Sequence, residues 1–225
     1  MPRKNTIKTY LENGFYHVYN RGVNKNLIFL DGQDYSVFLS YLKTYLMPKD
    51  EKQLMLSLSD KSIGYRERDK ILKILKLKNF SDEISLLSHS LMPNHFHFLL
   101  QQRLIDSMER FMSSIGTRYT MYFNKKYRRV GPLYQSIFKA VLVESKEQLL
   151  YLSGYIHRNG LLINKNLFSQ PSSLPEYLGL RKTAWIHPKI ILNHFSKTNP
   201  KLSYESFVKQ TEDVSLITNH LIDEF

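Results

Sequence analysis

The most constraining feature of the chain is a short segment, residues 91–100, in which a Pro-Asn turn leads into alternating polar and apolar side chains and then into leucines. This pattern predicts a β-strand that leaves a turn. Successive side chains of a strand point to opposite faces, so Phe96 and Phe98 share the face that packs on a core, while His95 and His97 share the other. The two imidazoles either converge on one metal ion or lie half-buried on the solvent face of a sheet.

Composition limits the chemistry available to this site. The chain has 225 residues, of which 42% are hydrophobic, enough for one sizeable folded domain with an appendage. It contains no cysteine, which excludes disulfides, thiolate zinc sites and cysteine nucleophiles. Any metal ion must therefore be held by histidine, amide or carboxylate side chains.

Charge and hydropathy indicate the kind of partner and the compartment. The formal net charge is +12 and the pI is near 9.6, which favours a polyanionic partner such as nucleic acid, although a merely basic protein has the same balance. No apolar run approaches the roughly 20 residues of a membrane span. The basic N-terminus lacks the apolar segment of a signal peptide. We expect a cytoplasmic protein and no membrane partner.

The hydrophobic patterns predict strands and helices in an α+β order. The predicted strands cover residues 15–19, 84–91, 94–101 and 136–144. The predicted helices cover residues 35–46, capped by Asp31, and 106–123, followed by a helix that begins at a Ser145–Gln148 capping box and ends at Gly160.

Two regions lie outside this alternation. Residues 48–82 are predicted to form an insertion with one basic amphipathic helix, which either grips phosphates or is a solvated charged face. Beyond residue 170 the pattern weakens to short helical segments. We therefore divide the chain into a domain that carries the candidate site, residues 1–172, and a C-terminal helical extension, residues 173–225.

The helix after Ser145 carries the second half of the candidate site. At about 100° per residue, Tyr155 and Asn159 lie roughly 40° apart on one edge of its buried face, whereas His157 is roughly 160° from Tyr155 and is excluded. A tyrosine hydroxyl and an amide oxygen presented together can supply a nucleophile and a third metal ligand. Taken alone, Tyr155 also fits a boundary residue half in the core.

A basic and aromatic cluster follows the helix over residues 106–123. Charges that track a backbone, with rings on which bases stack, are the usual components of a single-strand binding surface. Each of the candidate phosphate contacts is, taken singly, also compatible with ordinary surface charge. The candidates within this cluster are Lys125, Lys126, Arg128 and Arg129, and two more lie elsewhere in the chain, Arg21 and Lys139.

Four segments resemble motifs of the HUH endonucleases and, within them, of the single-tyrosine transposases, with the REP-associated tyrosine transposases as the nearest branch. Residues 91–100 contain the His-hydrophobic-His signature, and residues 131–140 resemble the family's Gly-x-Leu-aromatic-Gln segment. Residues 155–159 resemble its tyrosine helix, and residues 15–22 its first strand. Two departures are Gly160, where the family usually has proline, and the long insertion.

The resemblance implies a function as well as a fold. By resemblance, His95, His97 and Asn159 are the ligands of Mg²⁺ or Mn²⁺, and Tyr155 is the nucleophile. The implied reaction nicks and rejoins single-stranded DNA that carries imperfect hairpins, through a covalent 5′-phosphotyrosine. The implied fold is a ferredoxin-like antiparallel sheet of four or five strands with helices packed on one face, in a protein that is a monomer or a homodimer.

Two alternatives to a transposase stay open at this stage. A replication-initiation or relaxase-type nickase shares the histidine pair and a tyrosine, although the Pro-Asn turn before His95 argues against it. A non-catalytic, domesticated binder of structured DNA would share the fold and the charge. Such a binder has no need to keep His95, His97, Tyr155 and Asn159 together.

Overall fold

A four-stranded antiparallel sheet in the order β2-β3-β1-β4 forms the centre of the computed structural model, which describes residues 10–163 and 171–210. The strands are β1 (Phe15–Arg21), β2 (Ile84–Met92), β3 (His95–Gln102) and β4 (Lys139–Leu142). All three pairings are antiparallel. This order is that of a ferredoxin-like sheet, and it confirms the predicted α+β class with the histidine strand β3 in the interior of the sheet.

Helices connect and cover these strands. In chain order they are α1 (Gly32–Leu46), α2 (Glu51–Ser59), α3 (Tyr65–Lys76), α4 (Ser107–Tyr127), α5 (Lys146–Ile163), α6 (Leu174–Tyr177), α7 (Lys189–Leu192) and α8 (Tyr204–Lys209), with short 3₁₀ turns at Val23–Lys25 and Pro200–Leu202. Across the described ranges, every helix is too short or too polar to cross a bilayer.

Local sequence signals set the beginning of α1 and α5. The Asp31 side chain accepts the backbone N–H of Asp34 in a full capping box. At α5, the Ser145 hydroxyl accepts the N–H of Gln148, whose side chain accepts the N–H of Glu144. The predicted end of this helix at Gly160 was wrong, because α5 continues to Ile163. A glycine costs a helix only about 1 kcal/mol and does not end it by itself.

The two faces of the sheet have separate apolar cores. On one face, Phe96 and Phe98 of β3 pack against Phe38 of α1, with ring centroids 5.7 and 6.1 Å away, and α4 completes this core. On the other face, Leu99 packs with the apolar side of α5, including Leu152. The sequence predicts helices packed on one face of the sheet, and α1 and α4 do share one face. Helix α5 instead covers the opposite face, which carries the histidines.

The insertion forms a helical hairpin rather than the single predicted helix, since α2 precedes the basic helix α3 and packs against it. The Lys49 ammonium donates to the backbone carbonyls of Leu75 and Leu77 and so fixes the base of the hairpin. Leu56 and Tyr65 are 73% and 84% exposed at its surface.

The described part of the C-terminal extension packs on α5. Leu174, Tyr177 and Tyr204 belong to the same apolar core as the buried side of α5. Residues 211–225 of the predicted extension lie outside the described residues. The boundary predicted after residue 172 stays a prediction, because the extension and α5 share this core.

We predict that Phe98→Ala lowers the free energy of unfolding by about 3–5 kcal/mol, because it removes a fully buried ring from the centre of the sheet. The matched control is Leu56→Ala, which truncates an exposed residue of α2 and should change stability by less than about 0.5 kcal/mol. Urea denaturation followed by circular dichroism measures both. Equal losses in the two variants would contradict the placement of the core.

Candidate active site

The pairing of β1 with β3 brings three histidines to one face of the sheet. In the antiparallel register, His97 lies opposite Tyr19, and His95 lies opposite Arg21. Residues directly opposite each other in a ladder share a face, as do residues two apart along a strand. His17, two residues before Tyr19, therefore joins His95 and His97 on the face that α5 covers.

The Nδ1 atom of His95 is held by the turn that precedes β3. It lies 2.6 Å from the Asn94 side-chain oxygen, and the Asn94 amide group in turn donates to the carbonyl of Lys25. An amide oxygen only accepts hydrogen bonds, so the Nδ1 of His95 carries the proton and donates it. The Nε2 of His95 is then left with its lone pair, the form that binds a metal ion.

The His97 ring is held from β1. Its Nδ1 lies 2.8 Å from the Nε2 of His17, and both rings are fully buried. The Nε2 of His97 is buried and has no hydrogen-bond partner within residues 10–163 and 171–210. A buried ring nitrogen in this state is costly in a folded protein unless something binds it.

Burial and nearby positive charge keep both histidines neutral. Burial, with a smaller contribution from Arg21, lowers the pKa of His95 to about 4. Burial, followed by the neighbouring His17, His95 and Arg21, lowers the pKa of His97 well below its usual value. Neutral imidazole is the form that coordinates metals.

Helix α5 presents Tyr155 to the histidines from the same chain. The half-buried Tyr155 ring meets His97 edge-on with centroids 5.6 Å apart, and it meets His17 edge-on at 6.2 Å. Its apolar edge packs with the core between α5 and the sheet. The tyrosine and the histidine pair are therefore neighbours without a second chain.

Asn159 lies one turn beyond Tyr155 on α5 and is 9% exposed, and its buried side-chain Nδ2 has no hydrogen-bond partner in the described part of the chain. Within residues 10–163 and 171–210, no three His, Cys, Asp or Glu side chains are grouped to hold a metal ion. The third ligand predicted from the sequence is the amide of Asn159, and this assignment stays a prediction. Two imidazoles and an amide fit Mn²⁺ or Mg²⁺, because these ions accept nitrogen and oxygen ligands.

His157 lies away from this site, in agreement with its exclusion from helical geometry. It is fully buried, and its two ring nitrogens lie 2.7 Å from the Tyr204 hydroxyl and 2.8 Å from the Ser173 hydroxyl. These bonds fasten α5 to the C-terminal extension. His157 therefore helps to fix the helix that carries Tyr155.

The candidate phosphate contacts fall into two groups. Arg21 and Lys139 lie on the site face, where Lys139 pairs with Tyr19 across β1 and β4 and its ammonium lies 5.6 Å from the Tyr19 ring. Lys125 and Arg128 are exposed near the end of α4. Arg129, in the same segment, stacks its guanidinium 5.6 Å from the Phe123 ring.

Lys126 differs from the other candidates because its ammonium is bound within the protein. It lies 2.8 Å from carboxylate oxygens of both Asp31 and Asp34. Burial alone would raise the pKa of Asp34, but hydrogen bonds from Lys126, the Leu30 N–H and the Tyr127 hydroxyl lower it below its usual value. Lys126 therefore compensates a buried charge, and we leave it out of the proposed DNA contacts.

Comparisons with known proteins follow from the sequence and from the fold. The family model described as "Transposase IS200 like" matches residues 54–159, just under half of the chain. This match confirms the family resemblance of that segment. The matched range includes His95, His97, Tyr155 and Asn159, whereas His17 and Arg21 lie outside it.

A solved structure of a REP-associated tyrosine transposase bound to a REP hairpin is also similar. It shares 11% sequence identity and a TM-score of 0.46, over 82% of this chain and 97% of that chain. A search of curated protein sequences gave no match.

The IS200-like match does not reveal His17, and sequence reasoning missed it as well. Its place in the alternation of β1 was readable, since it is two residues from Tyr19. The neighbouring strand and its register were not, because strands β1 and β3 lie some 80 residues apart along the chain. Only the fold shows that His17 touches His97.

We predict that the two neighbouring lysines at the end of α4 affect different properties, Lys126 the stability of the fold and Lys125 the binding of DNA. Lys126→Met should lower the free energy of unfolding by about 3 kcal/mol, because it leaves the buried Asp34 carboxylate without its cation. Lys125→Met, the matched control at an exposed position, should change stability by less than about 0.5 kcal/mol.

In binding titrations, Lys125→Met should reduce the slope of log affinity against log salt by about 0.7 for single-stranded DNA, and Lys126→Met should leave that slope unchanged. Chemical denaturation and fluorescence anisotropy at several salt concentrations measure the two effects. A salt slope reduced by Lys126→Met would return that residue to the set of DNA contacts.

Proposed function

We propose that this protein is a metal-dependent transposase that nicks and rejoins single-stranded DNA carrying imperfect hairpins. The observation that carries the proposal is the position of Tyr155, whose ring meets the buried His97 ring edge-on, 5.6 Å away, within one chain. The match of residues 54–159 to the IS200-like transposases supports the same reaction class. His95, His97 and Asn159 are the proposed ligands of Mg²⁺ or Mn²⁺.

The residues present fit a divalent ion. The Nε2 of His97 is buried and has no hydrogen-bond partner among the described residues, and the Nε2 of His95 keeps its lone pair because Nδ1 donates to Asn94. The side-chain oxygen of Asn159 would supply the third ligand. A bound divalent ion would polarise the scissile phosphate and neutralise charge that develops on it. The neutral ligand set suits loose binding shared between Mg²⁺ and Mn²⁺.

Tyr155 is the proposed nucleophile. Its phenolic oxygen forms a bond to the scissile phosphorus while the bond from phosphorus to the 3′-oxygen breaks. The phenolic proton passes to solvent, and the leaving 3′-oxygen takes up a proton to become a free hydroxyl. The 5′-phosphate stays on Tyr155, so the phosphodiester energy is conserved, and attack by another 3′-hydroxyl reverses the step and joins strands.

The basic residues supply the proposed DNA surface. Arg21 and Lys139 lie on the same face as the histidines, where they can position the phosphate backbone near Tyr155. Lys125, Arg128 and Arg129 extend the positive charge at the end of α4.

Because a single chain carries the histidines, Tyr155 and Asn159, a monomer has every proposed catalytic residue, and a homodimer is also compatible. The proposed location is the cytoplasm, at the nucleoid when DNA is bound.

We predict that Tyr155→Phe abolishes a covalent protein–DNA adduct while hairpin binding persists, because it removes only the nucleophilic oxygen. The substrate is labelled single-stranded hairpin DNA from the flanks of the gene, incubated with Mn²⁺ and resolved on a denaturing gel. The matched control is Tyr151→Phe, one helical turn earlier, where the ring packs against Phe207. It should form adduct as the unmodified protein does.

The same gel separates this proposal from the alternatives. An adduct that survives Tyr155→Phe would contradict the assigned nucleophile. Tight, salt-sensitive hairpin binding with no adduct in Mg²⁺ or Mn²⁺ would instead support a non-catalytic binder of structured DNA.

A further inference from the structure

We propose that His17 is a positioning residue for the metal site, in that it accepts a hydrogen bond from the Nδ1 of His97 and thereby aims the Nε2 lone pair of His97 at the metal ion. This inference rests on the proposed metal-dependent function. It adds a residue of β1 to a site that is otherwise built from β3 and α5.

The contact has the geometry of a strong, in-plane hydrogen bond. The Nε2 of His17 lies 2.8 Å from the Nδ1 of His97. The two ring planes differ by 11°, and the ring centroids are 5.1 Å apart. With the nitrogens 2.8 Å apart, the centroids are this far apart only if both nitrogens lie near the line that joins them. Each nitrogen therefore lies close to the plane of the other ring. Both rings are fully buried, and water does not compete for the bond.

Only one of the two ways of placing the proton leaves His97 able to bind a metal. If His17 donates, the neutral His97 ring carries its proton on the buried Nε2, which then has no lone pair for a metal ion. If His97 donates from Nδ1, its Nε2 keeps a lone pair. A metal ligand whose other ring nitrogen donates to a fixed acceptor is the usual arrangement in metalloproteins.

The surroundings of His17 hold its ring in place. It packs against the Tyr19 ring with centroids 5.0 Å apart, and it meets the Tyr155 ring edge-on at 6.2 Å. His17 thus touches both the proposed ligand His97 and the proposed nucleophile. A phenylalanine at position 17 keeps these ring contacts and removes only the nitrogen, while a glutamine keeps an acceptor at nearly the same reach.

The test uses the full chain and two readouts on His17→Phe, His17→Gln and the matched control His89→Phe. His89 is also a fully buried histidine of the sheet, and it stacks on Trp185. The first readout is the tautomer of His97 in metal-free protein, taken from ¹⁵N NMR shifts of the ring and assigned with His97→Gln. The second is Mn²⁺ affinity without DNA, from electron paramagnetic resonance of the free ion.

The expected results follow from the role of the acceptor. His97 should carry its proton on Nδ1 in the unmodified protein, and His17→Phe should weaken Mn²⁺ binding by about 10–100-fold. His17→Gln should stay within about threefold of the unmodified protein because it restores an acceptor. His89→Phe should bind Mn²⁺ as the unmodified protein does, and thermal unfolding identifies any variant that fails to fold.

Two results would overturn the inference while the proposed function stands. One is a proton on the Nε2 of His97 in metal-free, unmodified protein, and the other is unchanged Mn²⁺ affinity in folded His17→Phe. An unmodified protein that binds no Mn²⁺ and forms no DNA adduct would overturn the proposed function, and this role with it.

Discussion

Strand β3 has a different environment on each face, and the positions of the other elements depend on this alternation. Phe96 and Phe98 anchor the core under α1 and α4, which fixes the strand in the interior of the sheet. The same pleat turns His95 and His97 to the opposite face. A shift of one residue in the pairing would bury the imidazoles in the aromatic core and expose the phenylalanines, so the energy of packing also enforces the geometry of the site.

The histidine face is completed by elements that approach from two directions. Strand β1 contributes His17, whose ring nitrogen lies 2.8 Å from His97. Helix α5 contributes Tyr155 from above the sheet, and its apolar side is fixed between the sheet and the C-terminal extension. The hydrogen bonds of His157 to Tyr204 and Ser173 add polar links to that extension. The extension therefore contributes to the site by holding the helix that carries the proposed nucleophile.

The sequence predicts the parts of this arrangement that depend on local periodicity. The faces of His95 and His97 follow from the period of a strand, and the helices follow from apolar spacing and capping residues. The sequence does not predict contacts between residues that are far apart along the chain. The contact of His17 with His97 requires the register of β1 on β3. The ion pair of Lys126 requires Asp34, which is 92 residues away. Gly160 misled for the opposite reason, since a strong local signal for a helix end was outweighed by the helical residues after it.

In the proposed site, one chain holds a metal ion with two strand histidines and a helix amide next to its own tyrosine. Its most direct test is an anomalous difference map from crystals soaked in Mn²⁺. We expect one strong peak bonded to the Nε2 atoms of His95 and His97 and to the side-chain oxygen of Asn159, with Tyr155 of the same chain beside it. Mn²⁺ peaks found only at other places in the crystal, or a peak whose neighbouring Tyr155 belongs to another chain, would overturn the proposed site.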